Sequence, residues 1–193
     1  LKYYLLIKRR ITNKLARNNK YKEINKVAKG TVLMREEKVK IIPLGGLGEI
    51  GKNITVFECD DEIIVVDCGI AFPDEEMYGV DLIIPDISYL KNNVKKIKGI
   101  FLTHGHEDHI GSLPYVLKEV NVPIYGTKLT IGIVKTKLEE HNLLSEVKLH
   151  NVEAGDIIKF DKFKVEFIRN THSIADSCSL AIFTPVGTIL HTG

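Results

Sequence analysis

The chain has 193 residues, of which 44% are apolar and 27% are charged, and its formal net charge is +2. This composition is typical of a single globular domain with a sizeable core, and no apolar run is long enough to span a membrane. The three cysteines lack a Cys-x-x-Cys spacing and do not make a disulfide framework, so we expect a reducing, cytoplasmic environment.

Basic residues are concentrated at the start of the chain. Residues 1–29 contain ten Lys or Arg and one acid, Glu23, which leaves the remainder with a net charge of −7. This segment is consistent with a basic arm that contacts nucleic-acid phosphates, with a disordered extension, or with translated upstream sequence. We favour the third interpretation, in which Met34 is the native start, residues 1–33 are an extension and residues 34–193 form the domain.

Alternating and periodic apolar residues predict the order of the secondary structure. Strands are predicted at 39–43, 53–59, 62–67, 99–102, 122–125, 147–151, 156–160, 164–168, 181–185 and 188–191. Helices are predicted at 86–92, 110–118 and 127–141. The second and third strands are expected to form a hairpin that turns at Asp60-Asp61.

Four glycines follow the first predicted strand, at Gly45, Gly46, Gly48 and Gly51. Glycine permits positive φ and close backbone approach. The segment is not a phosphate-binding loop, because no Gly-Lys-Ser/Thr follows and the spacing differs from a dinucleotide fingerprint. By themselves these residues predict a hairpin turn, and the family resemblance described below implies a turn beside the metal site as an equally good interpretation.

Three imidazoles and one carboxylate lie within six residues, at His104, His106, Asp108 and His109. Imidazole and carboxylate are good ligands for zinc-like divalent ions. In an extended loop His104 and His106 lie on the same side and can bind one ion, whereas Asp108 and His109 point towards a possible second ion. The alternative, a polar loop with chance histidines, is disfavoured because histidine is rare.

His172 is a further candidate ligand, because it follows a predicted strand and lies in a polar segment. On this signal alone a core histidine is an equally good interpretation. His141 and His150 have no neighbouring ligand residue in the sequence, and we assign them to the surface or the core.

Several sequence blocks together resemble the bacterial ribonuclease J family, an RNA-processing branch of the β-CASP group in the metallo-β-lactamase superfamily. The resemblance extends over residues 36–193. The blocks that carry it are His104-x-His106-x-Asp108-His109, Ile42–Asn53, Val66–Gly69, Ile84–Leu90 and Thr171–Ser177.

The resemblance implies an α/β fold, namely the N-terminal part of a metallo-β-lactamase-like αββα sandwich. It also implies that His104, His106 and His172 bind one ion, and that Asp108 and His109 begin the site of a second. The two ions would be Zn²⁺, with Mn²⁺ or Mg²⁺ as alternatives.

The resemblance gives a role to Asp67, which ends a buried apolar strand and therefore needs a polar partner. Asp67 would orient a ligand histidine by accepting a hydrogen bond from its ring. Capping of the turn at Gly69 is the alternative.

The implied activity is metal-dependent hydrolysis of RNA phosphodiester bonds, both 5′-to-3′ exonucleolytic and endonucleolytic, in RNA maturation and decay. The implied partners are RNA, further copies in a dimer or tetramer, and other RNA-degradation proteins, with no membrane. In the family, the Thr-Gly pair matching Thr192-Gly193 precedes an aspartate that bridges both ions, so we expect this chain to be inactive alone.

Three other functions remain open at this point. A small-molecule hydrolase of the same fold is disfavoured by the blocks Ile42–Asn53 and Ile84–Leu90. A DNA-processing β-CASP nuclease would differ in its substrate. A non-catalytic, metal-binding fragment belongs to another class altogether.

Overall fold

A computed structural model describes residues 4–6 and 37–193. The predictions for residues 1–33 and Met34 lie outside these ranges, except at Tyr4–Leu6, which form a short strand. The strands are β1 Tyr4–Leu6, β2 Val39–Gly45, β3 Ile54–Cys59, β4 Glu62–Val66, β5 Ile97–Phe101, β6 Ile124–Thr127, β7 Leu149–Val152, β8 Ile157–Lys159, β9 Lys164–Arg169, β10 Cys178–Thr184 and β11 Gly187–His191. The helices are α1 Ser88–Asn92, α2 Glu107–Ile110, α3 Leu113–Val116 and α4 Lys128–Glu140, and Val94–Lys96 form a 3₁₀ turn.

Six strands form the first sheet, in the order β2-β3-β4-β5-β6-β7. The pairs β2–β3 and β3–β4 are antiparallel, and β4 to β7 run parallel to one another. The predicted hairpin is present, and Asp60 turns it with a φ of 53°. Parallel strands place their carboxyl ends at one edge of the sheet, so the segments after β4 and β5 meet there.

The first sheet is buried on both faces, which explains the continuous apolar sequence of β4. Ile63 and Val65 face a cluster that includes apolar residues of all four helices. Ile64 and Val66 face a second cluster, shared with β9, β10 and β11. Those strands belong to the antiparallel second sheet, in the order β1-β11-β10-β9-β8. The described residues thus form three layers, of helices, first sheet and second sheet.

The helix predicted at 110–118 is divided into α2 and α3, so that prediction is wrong in its continuity. Pro114 lies in the first turn of α3. Proline lacks an amide hydrogen and its ring collides with the preceding turn, so it suits a helix start and interrupts a helix interior. In the parts of the chain that the structure covers, every helix is too short or too polar to cross a membrane.

A buried acid ties the first sheet to α1. Glu58 on β3 is 4% exposed, and its carboxylate accepts hydrogen bonds from Tyr89 at 2.6 Å, Lys40 at 2.8 Å and Lys96 at 3.1 Å. Burial alone favours the protonated form, but these three donors outweigh it and lower the pKa of Glu58 to about 2. The ionised form is therefore the one that the fold stabilises.

Glu58 is expected to make unfolding strongly pH-dependent in acid. A carboxylate with a depressed folded-state pKa stabilises the fold above its unfolded value of 4.5, and this stabilisation disappears as the pH falls towards 2. We expect about 2–3 kcal/mol of unfolding free energy to depend on this group. In urea titrations at pH 6 and pH 3, Glu58→Gln should lose less stability between the two conditions than the parent. Glu140→Gln, at an exposed site on α4, should lose as much as the parent.

Candidate metal centre

Three histidine rings converge at the carboxyl edge of the first sheet. His104 and His106 lie between β5 and α2, and His172 lies between β9 and β10. One ligand atom from each of the three lies within 4.8 Å of the others. The ring of His104 is buried, that of His106 half-buried and that of His172 exposed, so the group opens to solvent on one side.

Two of the three rings have the nitrogen spacing of ligands to one tetrahedral divalent ion. His104 Nε2 and His106 Nδ1 face each other at 3.1 Å. Two nitrogens bound to one zinc ion at 2.0–2.1 Å with tetrahedral angles lie about 3.3 Å apart, so this separation suits a shared ion. With His172 as third donor, the fourth position faces solvent, as in catalytic rather than structural zinc sites.

The orientation of His104 is fixed by a chain of polar contacts. Thr103 Oγ1 donates to the Asp67 carboxylate, at 2.9 Å from Oδ2, and lies 2.9 Å from His104 Nδ1. Because the hydroxyl hydrogen points at Asp67, His104 Nδ1–H donates to the hydroxyl and Nε2 keeps its lone pair. Burial, with a smaller contribution from His109, lowers the pKa of His104 to about 4, so the ring is neutral at pH 7.

Asp67 lies behind the histidines, at the end of β4, and is 1% exposed. Its Oδ1 accepts the Thr103 amide at 2.8 Å, and its Oδ2 lies 2.7 Å from His109 Nδ1. Burial opposes ionisation, but His109, Thr103 and the nearby His191 outweigh it and lower the pKa of Asp67. The same carboxylate outweighs burial of His109 and raises the pKa of that ring. The Gly69 amide donates to the Asn53 carbonyl, which removes the turn-capping alternative for Asp67.

Asp108 and His109 present two further donor atoms beside the triad. His109 Nε2 lies 3.5 Å from Asp108 Oδ2, and the His109 ring centroid is 4.1 Å from that of His104. Between residues 37 and 193 the only group of three or more potential ligand residues is His104, His106 and His172. Asp108 Oδ2 and His109 Nε2 are therefore two potential donor atoms beside the triad.

The segment that carries His104, His106, Asp108 and His109 is joined to the end of β4 by backbone hydrogen bonds. Cys68 N donates to His109 O at 2.7 Å and Ile70 N to Glu107 O at 3.2 Å. A Cβ atom on Gly69 would overlap the carbonyl of Asp108, so only glycine permits this approach.

Helix α4 supports the same loop from its other side. Lys137 Nζ forms an ion pair with Glu107 Oε1 at 2.9 Å, and its side chain is only 19% exposed. A Cβ atom on Gly105 would lie 2.7 Å from the terminal methyl of Ile133, so α4 packs closely against the segment between His104 and His106.

All six residues singled out in the sequence lie in one place: His104, His106, Asp108, His109 and His172 surround the open position, and Asp67 lies behind them. Their roles as ligands stay predictions. His141 and His150 lie against tyrosine rings, at 5.4 Å from Tyr115 and 4.7 Å from Tyr125. Sequence reasoning did not single out Thr103, Asn53 or Lys137; only Thr103, directly before His104, carried a usable signal.

A cavity of about 490 Å³ opens beside His172. Its lining includes two cationic side chains, Lys128 and Arg169, and two acidic ones, Glu153 and Asp176. His172 therefore lines a polar cleft.

Comparison with known proteins defines the class. The family described as the Metallo-beta-lactamase superfamily matches residues 47–193. The chain belongs to this superfamily, and the predicted fold class is confirmed.

Two relatives identify the branch of the superfamily that this chain resembles. The chain is 53% identical over 157 residues to "Ribonuclease J" of Synechocystis sp., a match that covers 80% of this chain and 24% of that protein. It is 45% identical over 159 residues to "Ribonuclease J 2" of Staphylococcus aureus, covering 82% of this chain and 28% of that protein. The resemblance to ribonuclease J is thus confirmed, and the chain spans about a quarter of the length of these relatives.

Solved structures of lower identity share the fold. A protein of unknown function from Enterococcus faecalis superposes with a TM-score of 0.60 at 21% identity, over 81% of this chain and 43% of that chain. A diphosphatase from the PhnP family superposes with a TM-score of 0.51 at 20% identity, over 75% of this chain and 62% of that chain.

Replacing Asp67 with asparagine should weaken metal binding without preventing it. The amide keeps the shape of the side chain but loses the negative charge that fixes His109 and Thr103. Loss of such a supporting contact typically lowers metal affinity by about 10–100-fold. Isothermal titration with Zn²⁺ measures the change, and an unaltered affinity would show that Asp67 does not support a ligand.

Proposed function

We propose that this chain contributes to a metal-dependent enzyme that hydrolyses RNA phosphodiester bonds, as the name of its ribonuclease J relatives indicates for those proteins. The observation that carries the proposal is the histidine group at the carboxyl edge of the first sheet, with facing nitrogens 3.1 Å apart and an open side. The 45–53% identity to ribonuclease J relatives supports RNA over other phosphoesters as the substrate.

We propose zinc as the metal, bound first by His104, His106 and His172, with a second ion at Asp108 and His109. Bound divalent ions would activate water and neutralise charge on the phosphate. Mn²⁺ and Mg²⁺ are the alternatives, and Mg²⁺ is less suited to the triad because it prefers oxygen ligands. An all-nitrogen triad is typical of zinc.

The protein's own side chains have distinct tasks in this proposal. Thr103 and Asp67 hold His104 and His109 in the tautomer that leaves one ring nitrogen free to bind metal. The low pKa of His104 keeps that ring neutral at physiological pH. Lys128 and Arg169, in the cleft beside His172, can contact phosphates that flank the reacting one.

The biological setting belongs to the same proposal. We propose a cytoplasmic role in RNA maturation and decay, including rRNA processing, with exonucleolytic and endonucleolytic cleavage. Assembly as a homodimer or homotetramer, and contacts with other RNA-degradation proteins, are parts of this proposal.

A substrate competition tests the function. Because this chain is expected to be inactive alone, a longer protein that contains it is mixed with Zn²⁺ or Mn²⁺ and with equal amounts of labelled single-stranded RNA and DNA of one sequence, each carrying a 5′-monophosphate. We expect selective loss of the RNA. Cleavage of the DNA alone would favour a DNA nuclease. If neither is cut in this chain or in a longer protein that contains it, while a small-molecule ester is hydrolysed, the proposal is refuted.

A further inference from the structure

We propose that Asn53 is a positioning residue that holds Asp108 and His109 ready for the second metal ion. The inference rests on the proposed function only in assuming that these two residues bind an ion. Asn53 is half-buried, at the end of the glycine-rich loop and directly before β3.

The Asn53 amide nitrogen contacts both members of the pair. Nδ2 lies 3.0 Å from the Asp108 carbonyl oxygen, 3.1 Å from Asp108 Oδ2 and 3.2 Å from His109 Nε2. The first two atoms are acceptors, which identifies the facing atom of Asn53 as nitrogen and not oxygen. The contact to His109 therefore stabilises the ring form with a lone pair on Nε2, the form that binds metal.

Other contacts leave this nitrogen little freedom. The Asn53 backbone amide also donates to the Asp108 carbonyl, at 3.0 Å. The backbone and side-chain amides of Asn53 therefore bond to the same oxygen. His109 is fixed from the opposite side by Asp67 at Nδ1. Asn53 and Asp67 thus hold His109 between them, and Asn53 also donates to the Asp108 carboxylate near His109 Nε2.

The glycine-rich loop, residues 45–51, leaves room for the amide in this orientation. A Cβ atom on Gly46 would lie 2.6 Å from Asn53 Oδ1, so the absence of a side chain at Gly46 leaves room for that oxygen. With its oxygen at Gly46, Asn53 presents its nitrogen to Asp108 and His109. This gives the loop a function beyond a plain hairpin turn: it orients one amide.

The contact pattern predicts how the site responds to an ion. Metal binding at His109 Nε2 would displace the Asn53 contact to that nitrogen. The hydrogen bonds from Asn53 to Asp108 can persist. Asn53 acts before an ion binds, because it keeps Asp108 Oδ2 and His109 Nε2 3.5 Å apart. With only two protein donors at this position, loss of their alignment should strongly affect affinity.

The test is a titration with Co²⁺ followed by calorimetry and visible absorption, which together resolve ions that bind with different affinities. We expect two binding steps in the parent chain, the tighter at the histidine triad. Asn53→Ala should raise the midpoint of the second step by about 10-fold or more and leave the first unchanged. A merely structural role would affect both steps. Asn53→Leu, which keeps the volume without the donor, provides the same test if the alanine variant folds poorly.

Two glycine variants provide a matched pair. Gly46 and Gly48 both have positive φ, of 78° and 74°, but an added Cβ meets Asn53 only at Gly46 and open space at Gly48. Gly46→Ala should therefore weaken the second step, and Gly48→Ala, with the same backbone strain, should not. Equal effects of the two, an unchanged second step in Asn53→Ala, or no second step in the parent up to millimolar Co²⁺ would each refute the proposal.

RNA cleavage is measured in parallel and tests the proposed ribonuclease function separately from the role of Asn53. If the chain shows the expected Co²⁺ steps but a longer protein that contains it cuts no RNA, the role of Asn53 stands and the ribonuclease function is refuted. Normal cleavage with unaltered Co²⁺ steps in Asn53→Ala would do the reverse.

Discussion

His106→Ala is expected to lower the affinity for Zn²⁺ by more than about 100-fold, because loss of a ligand should exceed the 10–100-fold cost of losing a residue that only supports one. The variant leaves His104 and His172 as the only donors of the triad. In a longer protein that contains this chain, cleavage of RNA should fall at least in proportion, because a bound ion would activate the water. Isothermal titration and an RNA cleavage assay provide the two measurements.

The fold should tolerate this change. The His106 ring is half-buried and its ring contacts are with His104 and His172, so alanine removes little core packing. Circular dichroism and the melting temperature of the metal-free protein should match those of the parent. His141→Ala is the matched control, because His141 lies against Tyr115 away from the site. Zn²⁺ affinity like that of the parent in His106→Ala would remove this residue from the metal centre.

Gly69→Ala is expected to destabilise the protein by roughly 4 kcal/mol or more, at the upper end of single-substitution effects. The added methyl group would overlap the Asp108 carbonyl, and the neighbouring atoms are backbone that no side-chain rotation can move. Relief requires the end of β4 to separate from the metal-binding loop. Chemical denaturation should report the loss of stability, and metal titration the loss of ligand geometry.

Gly132→Ala serves as the comparison. A Cβ atom at Gly132, within α4, meets nothing within 4 Å. Alanine there should leave stability unchanged or raise it by up to about 1 kcal/mol, through its higher helix propensity. If Gly69→Ala were equally harmless, the close approach of the two backbones would not be a requirement of the fold.

Much of the secondary structure and of the histidine cluster could be predicted because local sequence patterns indicate them directly. The unbroken apolar run of β4 follows from burial on both faces, and the turn at Asp60-Asp61 ends one strand and begins the next. The cluster from His104 to His109 is visible because its members are neighbours in the sequence. His172 needed the family resemblance, because it lies 66 positions after His106, the second histidine of the triad.

The remaining features depend on contacts between distant segments. Asn53 approaches Asp108 across 55 positions, and Lys137 approaches Glu107 across 30. An asparagine after glycines and a lysine on an amphipathic helix are ordinary in sequence, so only the packing of β3 and α4 gives them a role. The break between α2 and α3 had a local signal in Pro114, which the apolar periodicity concealed.

Backbone hydrogen bonds join the two sides of the candidate metal centre without any contribution from an ion. The Cys68 and Ile70 amides donate to backbone carbonyls in the segment between β5 and α3. Folding itself therefore orders the segment that carries most of the candidate ligands. The conformational entropy of that loop is lost during folding and does not oppose ion capture. The centre is in this sense preorganised, and chelation should empty it while the sheets stay folded, in contrast to small zinc domains that unfold without metal.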